Sequence, residues 1–477
     1  MQRSPTRIRW HHPLPPAKEG LERAAASGLP VAGDRDVVRD MLLRVGIPVV
    51  EGVGTAREFA IELLKLAAEV EHALMVQYLY AATSIPDEPG PDSVNYHEKL
   101  MDVVIQEMGH LATLQNLLLL LGGRQAFYMQ RDIIREASEK NPIPFVLEPI
   151  NKTSLAKYVA AEKPAQVPPE LEAKVDELVK LAEKDAGVDT HRVGAIYELL
   201  RWMFTPQEEA SKGIDLAMFA PLPAKPHFSA DQLRDLSEVT QYEALADEWQ
   251  VFEEDVILAT AHTAAEARDA IDRIAGQGEG LTDRSRSHFA EFMEMIAAFE
   301  AGHMAVKPIA TSPTLDAHGG QGGEVISHRY TRLWGEVFSL QYSLLVLTIY
   351  HTLVTPRPSD GSAGLRGALA NLALRGMRRV IGPVSDLVAS LPLHDDGSAD
   401  KAGPPYDLDS SILHSDEDRE LVAQHIRMLD RLASVYGVIE SSPEFPSHLG
   451  HANTLANLRN FDKQRRDLFP PPAPPRA

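Results

Sequence analysis

The sequence predicts an all-α protein: a long helical bundle enlarged by insertions, with an additional helical C-terminal half. Three observations carry this. Apolar residues recur at three- and four-residue spacing over long stretches. Gly and Pro cluster between those stretches rather than inside them. No segment shows a strand-length alternation of apolar and polar residues, and no fixed-period repeat is present.

Residues 1–54 are weakly periodic and contain Pro and Arg; they read as an N-terminal arm with one short helix near 37–45. Thr55-Ala-Arg-Glu58 is a capping box, a hydroxyl and a carboxylate three apart, and it opens an apolar run. Leu63, Leu64, Ala67, Val70 and Leu74 follow at helical spacing, and Ile85-Pro86 stops the helix near Ser84. A second helix is expected from Ser93 to Leu121, ended by Gly122-Gly123. The short connection makes the two antiparallel neighbours.

From 124 to about 190 the pattern loosens into an insertion, with prolines at 142, 144, 149, 164, 168 and 169 and one charged helix over 170–184. Helical spacing resumes over 192–204, and 206–226 is loop-rich. Further helices fit 230–247 and 264–274. Gly276-Gln-Gly-Glu-Gly280 breaks the pattern before a helix over 284–304, which completes a bundle spanning 55–310. A glycine cluster at 319–323 precedes a helical region, 324–440, with segments at 324–354, 364–391 and 416–439. Residues 441–477 read as a Pro-rich tail, polyproline-like at the end.

Composition narrows the chemistry. The 477 residues hold 47 basic and 68 acidic side chains, a formal charge of −21. That balance argues against nucleic acid or an anionic membrane as partner. There is no cysteine, so thiolate zinc sites, cysteine-ligated iron–sulfur clusters, disulfides and a cysteine nucleophile are excluded. Any metal must be held by His, Asp and Glu, and 18 histidines are available. The N-terminal stretch has no apolar core of a secretory signal. The most lipid-like stretch, 338–354, is short and carries Gln341, Ser343, Thr348 and His351; it reads as a buried helix, and the cytoplasm is the expected location.

The second helix carries Glu107-Met-Gly-His110. That spacing stacks a carboxylate and an imidazole on one helix face, the arrangement that supplies half of a non-haem iron or manganese site in a helical bundle. Glu71 on the first helix and Glu107 on the second lie at similar distances from a loop centre near 88, so an antiparallel pair sets them at one height. The pattern also recurs at Glu69/His72 and Glu300/His303, as chance allows. Around Glu107, however, Leu111, Leu114, Leu117, Leu118 and Leu121 make the helix apolar on most sides, and a buried Glu is costly without a partner charge or a metal. Read locally, Gln277-Gly-Glu279-Gly280 is a helix end followed by a turn, and His288 a first-turn histidine. His448 and His451 sit in a proline-flanked loop, where histidines seldom bind metal.

Together these segments resemble the iminophenyl-pyruvate dimer synthase-type ferritin-like family. The resemblance rests on the run from Glu71 through Gln77-Tyr78-Leu79-Tyr80-Ala81, on Glu107-Met-Gly-His-Leu111 with Asn116 and Gly122-Gly123, and on Val193-Gly-Ala-Ile-Tyr197. Gln277-Gly-Glu-Gly280 with Ser287-His288-Phe289 and Phe292 is the most distinctive block. Phe338, Tyr342, Leu344-Leu345, Met377-Arg378 and Ala402-Gly-Pro-Pro-Tyr406 extend it, so that it spans about 55–406. It implies a ferritin-like four-helix bundle with a metal centre at Glu71, Glu107, His110, Glu279 and His288. A symmetric two-metal bundle needs a second Glu-x-x-His, and Ser285 stands three before His288, so one metal or two remains open. Glu198, beside Tyr197, is a further candidate carboxylate. Tyr78, further along the helix from Glu71, is a candidate hydrogen-bond donor to the centre.

The function this implies is a non-haem iron, oxygen-activating oxidoreductase acting on a small amino-acid-derived or aromatic metabolite in specialised biosynthesis. Fe2+, one ion or two, is the expected cofactor, with manganese second. The expected partners are that small molecule and O2, with a homodimer left open. The alternative is a non-redox, dimer synthase-like imine-coupling enzyme or a pathway partner protein. Iron storage, which uses short bundles assembled into shells, fits this long chain poorly. A helical protein without a centre is the remaining reading.

Overall fold

The computed structural model describes residues 7–11, 34–131, 146–186, 192–212, 215–218, 221–278, 287–316, 323–409, 415–445 and 449–469. Glu279 and His448 lie outside the described residues. The protein is mostly helical, with one small sheet among the described residues.

The sheet pairs β1 (Arg7–His11) antiparallel with β2 (Ile47–Glu51), and α1 (Asp34–Val45) lies between them in sequence. These strands were not expected. Each is five residues long, and β2 buries Ile47, Pro48, Val49 and Val50 in succession, so period-two alternation never develops.

α2 (Ala56–Thr83) begins at the expected capping box: the Thr55 side chain accepts from the Glu58 N–H, and Glu58 accepts from the Thr55 N–H. α3 (Tyr96–Gly122) starts later than Ser93, because Ser93 has a φ of 67° and belongs to the turn, while Asn95 supplies the cap. The two helices run antiparallel. Ile61 lies against Gly122, Glu71 against His110, and the Ala82 carbonyl against His97. Both are buried around most of their circumference, which is why their apolar runs look nearly continuous.

Within the insertion, α4 (Lys152–Ala161) precedes the expected charged helix, α5 (Glu172–Ala186). α4 was not expected. Its signal is an Asn151/Ser154 capping box ahead of Leu155, Tyr158 and Val159, masked by the flanking prolines. α6 (Arg192–Phe204) keeps its expected limits. The helix expected over 230–247 shrinks to a 3-10 turn and α7 (Leu236–Tyr242). Asn116 of α3 is the reason: its side chain bonds both the N–H and the C=O of Ala244, which pulls the chain out of helix. α8 (Ala264–Gly278) runs past Gly276, and α9 (His288–Glu300) starts at Ser287, whose hydroxyl accepts from the Ala290 N–H.

In the C-terminal region, α10 (Arg329–Val354) starts later than 324, because residues 324–326 bond the backbone of Thr311 and Thr314 instead. The segment expected as one helix over 364–391 is three pieces: α11 (Gly364–Gly376), a π-helical turn Met377–Ile381 and α12 (Gly382–Ser390). Pro383, which lacks an N–H, interrupts the i→i−4 ladder there. α13 (Asp418–Glu440) is followed by α14 (Leu449–Asp467), inside the stretch expected to be tail. α14 is polar overall, but Leu455, Leu458 and Phe461 are buried, and Asp462 and Arg465 form a buried network with Gln341 and Tyr436.

α10 is the one described helix long and apolar enough to cross a membrane, and 83% of its apolar window is buried by protein. α11, α12 and α13 pack around it, as a core helix requires. One contiguous apolar core joins this region to α2 and α3. Those two helices therefore have two occupied faces. One meets α4, α6, α8 and α9; the other meets the C-terminal region.

Candidate metal centre

On the first of those faces lie five buried acid and imidazole side chains: Glu71 of α2, Glu107 and His110 of α3, Glu162 at the end of α4, and His288 at the start of α9. They form two groups that share Glu107. Glu71, Glu107 and His110 each offer a donor atom within 4.8 Å of the others, and so do Glu107, Glu162 and His288. The sharing is atom by atom. His110 Nδ1 lies 3.0 Å from Glu107 Oε2 and 3.5 Å from Glu71. His288 Nδ1 lies 3.1 Å from Glu107 Oε1 and 3.7 Å from Glu162. Glu107 thus turns one oxygen to each half, the posture of a bridging carboxylate.

Neighbouring side chains hold each member in place. Tyr197 of α6 donates its hydroxyl to Glu71. Tyr78 donates to Glu162 at 2.7 Å and packs edge-on against Tyr158. Phe292 closes the same side. Gly278 lets the end of α8 approach closely: a Cβ there would stand 2.9 Å from Glu162 Oε2, so a larger residue would push that carboxylate aside.

The histidine tautomers follow from one loop residue, Asp255. Gln277 donates its amide to the Asp255 carbonyl at 2.6 Å, and Gln106 donates to the Asp255 carboxylate at 3.2 Å. Both Asp255 groups accept only, so each amide must turn its NH2 toward Asp255 and its oxygen toward a histidine. His110 Nε2 then donates to Gln277 Oε1 at 2.9 Å, and His288 Nε2 donates to Gln106 Oε1 at 2.8 Å. With Nε2 carrying hydrogen, each Nδ1 faces the carboxylates, and it is Nδ1 that would give up its proton and offer a lone pair to a metal. His288 Nδ1 makes no hydrogen bond although it is buried. The loop is itself seated on α3, where Gly109 leaves room for the Ile257 carbonyl and Thr113 bonds it at 3.0 Å.

The electrostatics describe a site that attracts positive charge. Burial, and then Glu107, push the Glu71 carboxyl up to about 8. Burial opposes charge on both histidines, but Glu107 with Glu71 raises His110 well above its ordinary value, and Glu107 with Glu162 raises His288 to about 9. Burial likewise acts to raise Glu107, but His288 and His110 outweigh it and hold the carboxylate ionised. Protons therefore occupy at neutral pH the positions that cations would take. The cavity among Glu71, Glu107, His110, Glu162 and Tyr197 is about 20 Å³, the scale of an ion or a water molecule. Donor chemistry, tautomers and cavity size all fit a carboxylate/imidazole metal centre.

This geometry sets a pH dependence. A metal must displace the protons on Glu71, His110 and His288, so affinity rises with pH through about 8 and 9, where Glu71 and His288 lose theirs, and loading at neutral pH releases protons. In the metal-free protein the folded chain binds more of these protons than the unfolded chain, so stability falls as pH rises toward 9. Metal loading should flatten that fall. Calorimetric titration in buffers of different ionisation enthalpy, with thermal unfolding from pH 6 to 9, measures both effects.

Of the residues singled out in the sequence, Glu71, Glu107, His110 and His288 come together, and Tyr78 bonds a member of the group. Glu198 does not join it. On α6 it is Tyr197 that faces the site, while Glu198 turns toward Arg201 at 3.8 Å. Glu162 was missed, since it sits at the end of the unexpected α4 and belongs to no Glu-x-x-His. Glu69 is bonded by Tyr128, His72 by Tyr342, Glu300 by Lys152 and Lys174, and His303 by Asp92, and among the described residues neither pair belongs to a group of three metal-ligating side chains. His451 lies against Tyr330 and Trp334.

A family model described as Ferritin-like matches residues 64–297, just under half of the chain. The match runs from within α2 to within α9 and takes in every residue of the cluster. The fold is thus an all-α, ferritin-like bundle with a helical C-terminal region. No curated protein and no solved structure gives a significant match.

Proposed function

We propose that this chain is a metal-dependent oxidoreductase that activates O2 at two iron ions and acts on a small amino-acid-derived or aromatic metabolite. The observation that carries this is the placement of Glu107, with one oxygen toward each histidine Nδ1 and a further carboxylate, Glu71 or Glu162, completing each half. Ferritin-like bundles use this donor chemistry for paired metals. His110 and Glu71 would hold one ion, His288 and Glu162 the other, and Glu107 both.

Iron held by carboxylates and imidazoles supplies the electrons for reducing O2. The chain's own part is to orient and to exclude. Tyr197 and Tyr78 fix the outer carboxylates, Gln106 and Gln277 fix the imidazoles, and Tyr78, Tyr158 and Phe292 keep bulk water from the Glu162 side.

Purified after iron-replete expression, or loaded anaerobically with Fe(II), the protein should carry about two irons per chain and consume O2 faster than the same iron free in buffer. Manganese should load the same residues less productively. Protein that binds no transition metal, or binds iron without O2 uptake, would refute the proposal.

A further inference from the structure

The second face of α2 and α3 encloses a larger space. A cavity of about 340 Å³ lies between these helices, the loop around 249–258 and α10 to α12, on the side away from the metal centre. Its size falls in the range of small-molecule sites, roughly 300–1,000 Å³. Five of the protein's 13 methionines line it: Met75, Met101, Met108, Met129 and Met377. Such flexible, polarisable side chains adapt to more than one apolar shape. Leu, Val and Ile are the commonest of the remaining lining residues, with polar groups such as His97, Gln115 and Gln250 among the rest.

Four further features mark it as built for a guest rather than left over from packing. Its buried end carries Tyr342, bonded to His72 at 2.7 Å. The Trp249 indole N–H on its wall is buried and has no hydrogen-bond partner, although buried donors are ordinarily paired. The π-helical turn supplies Met377, Arg378 and Ile381 to the lining, and such turns concentrate at functional sites. At the rim, Ile105 is 38% exposed, and Phe252, adjoining the lining residues Val251 and Glu253, is 76% exposed. Exposed apolar side chains at the mouth suit a guest that leaves water.

We propose that this cavity is a binding site, separate from the metal centre, for a neutral and largely apolar small molecule bearing one hydrogen-bond acceptor such as a carbonyl. The apolar body lies among the methionines, and the acceptor takes the Trp249 N–H once the indole, whose nitrogen is now shielded from the cavity, turns toward it. The rim carries one cation, Arg378, against two carboxylates, Glu253 and Asp386, which disfavours an anionic guest. The site faces away from Glu107 and His110 across α3, since Met101, Val104, Ile105, Met108 and Ala112 line it. It therefore does not depend on metal occupancy.

Nile red, a neutral dye with a carbonyl acceptor, tests this on the full chain. It should bind saturably at one site per chain, with blue-shifted emission, in metal-free and metal-loaded protein alike. Ala112→Trp and Ile349→Trp, which fill the cavity from opposite walls, should each weaken binding at least tenfold while circular dichroism stays unchanged. Trp249→Phe should weaken it less. As a readout on the unmodified chain, benzophenone irradiated with the protein should label peptides containing Met101, Met108 or Met377, and Nile red should protect them. Non-saturable dye binding, full affinity in both folded Trp variants, or labelling spread over the surface would overturn the proposal.

Discussion

Glu107→Ala should empty both metal positions at once. Glu71→Ala or Glu162→Ala removes a carboxylate from one half only and should leave about one metal per chain. The asymmetry arises because Glu107 presents Oε2 to His110 and Oε1 to His288, and no other described carboxylate reaches both. The same substitution strips two raised imidazoles of their main counter-charge. Breaking a buried ion pair costs about 3–5 kcal/mol where the remaining charge cannot escape; here each imidazole can shed its proton, so the loss should be smaller near pH 8 than near pH 6. Metal analysis of the three variants separates a shared carboxylate from an ordinary ligand: equal loss in all three would show that Glu107 is not shared.

Asp255→Ala should weaken metal binding by about 10- to 100-fold although Asp255 touches no metal-facing atom. Its carboxylate and carbonyl orient Gln106 and Gln277, and those amides decide which nitrogen of His288 and His110 carries hydrogen. The alanine variant keeps the carbonyl, so Gln277 and His110 stay oriented while Gln106 becomes free to rotate. The His288 half should therefore lose affinity more than the His110 half. Asp255→Asn offers an NH2 as well as an oxygen and should fall between. Two-step metal titrations resolve the halves, and equal weakening of both would mean that the loop acts through packing alone.

The parts of this arrangement that could be read from sequence are those governed by local rules. The Thr55–Glu58 capping box, the Gly122-Gly123 stop and the opposed heights of Glu71 and Glu107 need only neighbours along the chain or a short antiparallel turn. Glu162 and Asp255 obey no such rule. The first depends on α4 being recognised between prolines and on α8 ending in a glycine beside it. The second acts through a loop whose path is set by Gly109, Thr113 and Asn116 from a different element. Glu198 misled for a related reason: one residue along α6 turns a side chain by about 100°, and the apolar pattern there cannot say which neighbour faces Glu71. The β1–β2 pair and α14 were hidden by shortness and polarity, respectively.

The central claim is that Glu107 bridges two metal positions. Anomalous scattering at the iron edge, from crystals grown with Fe(II), tests it most directly. Two peaks are predicted, one beside His110 Nδ1 and Glu71 and one beside His288 Nδ1 and Glu162, with Glu107 contacting both. A single peak, or none among these residues, would contradict it.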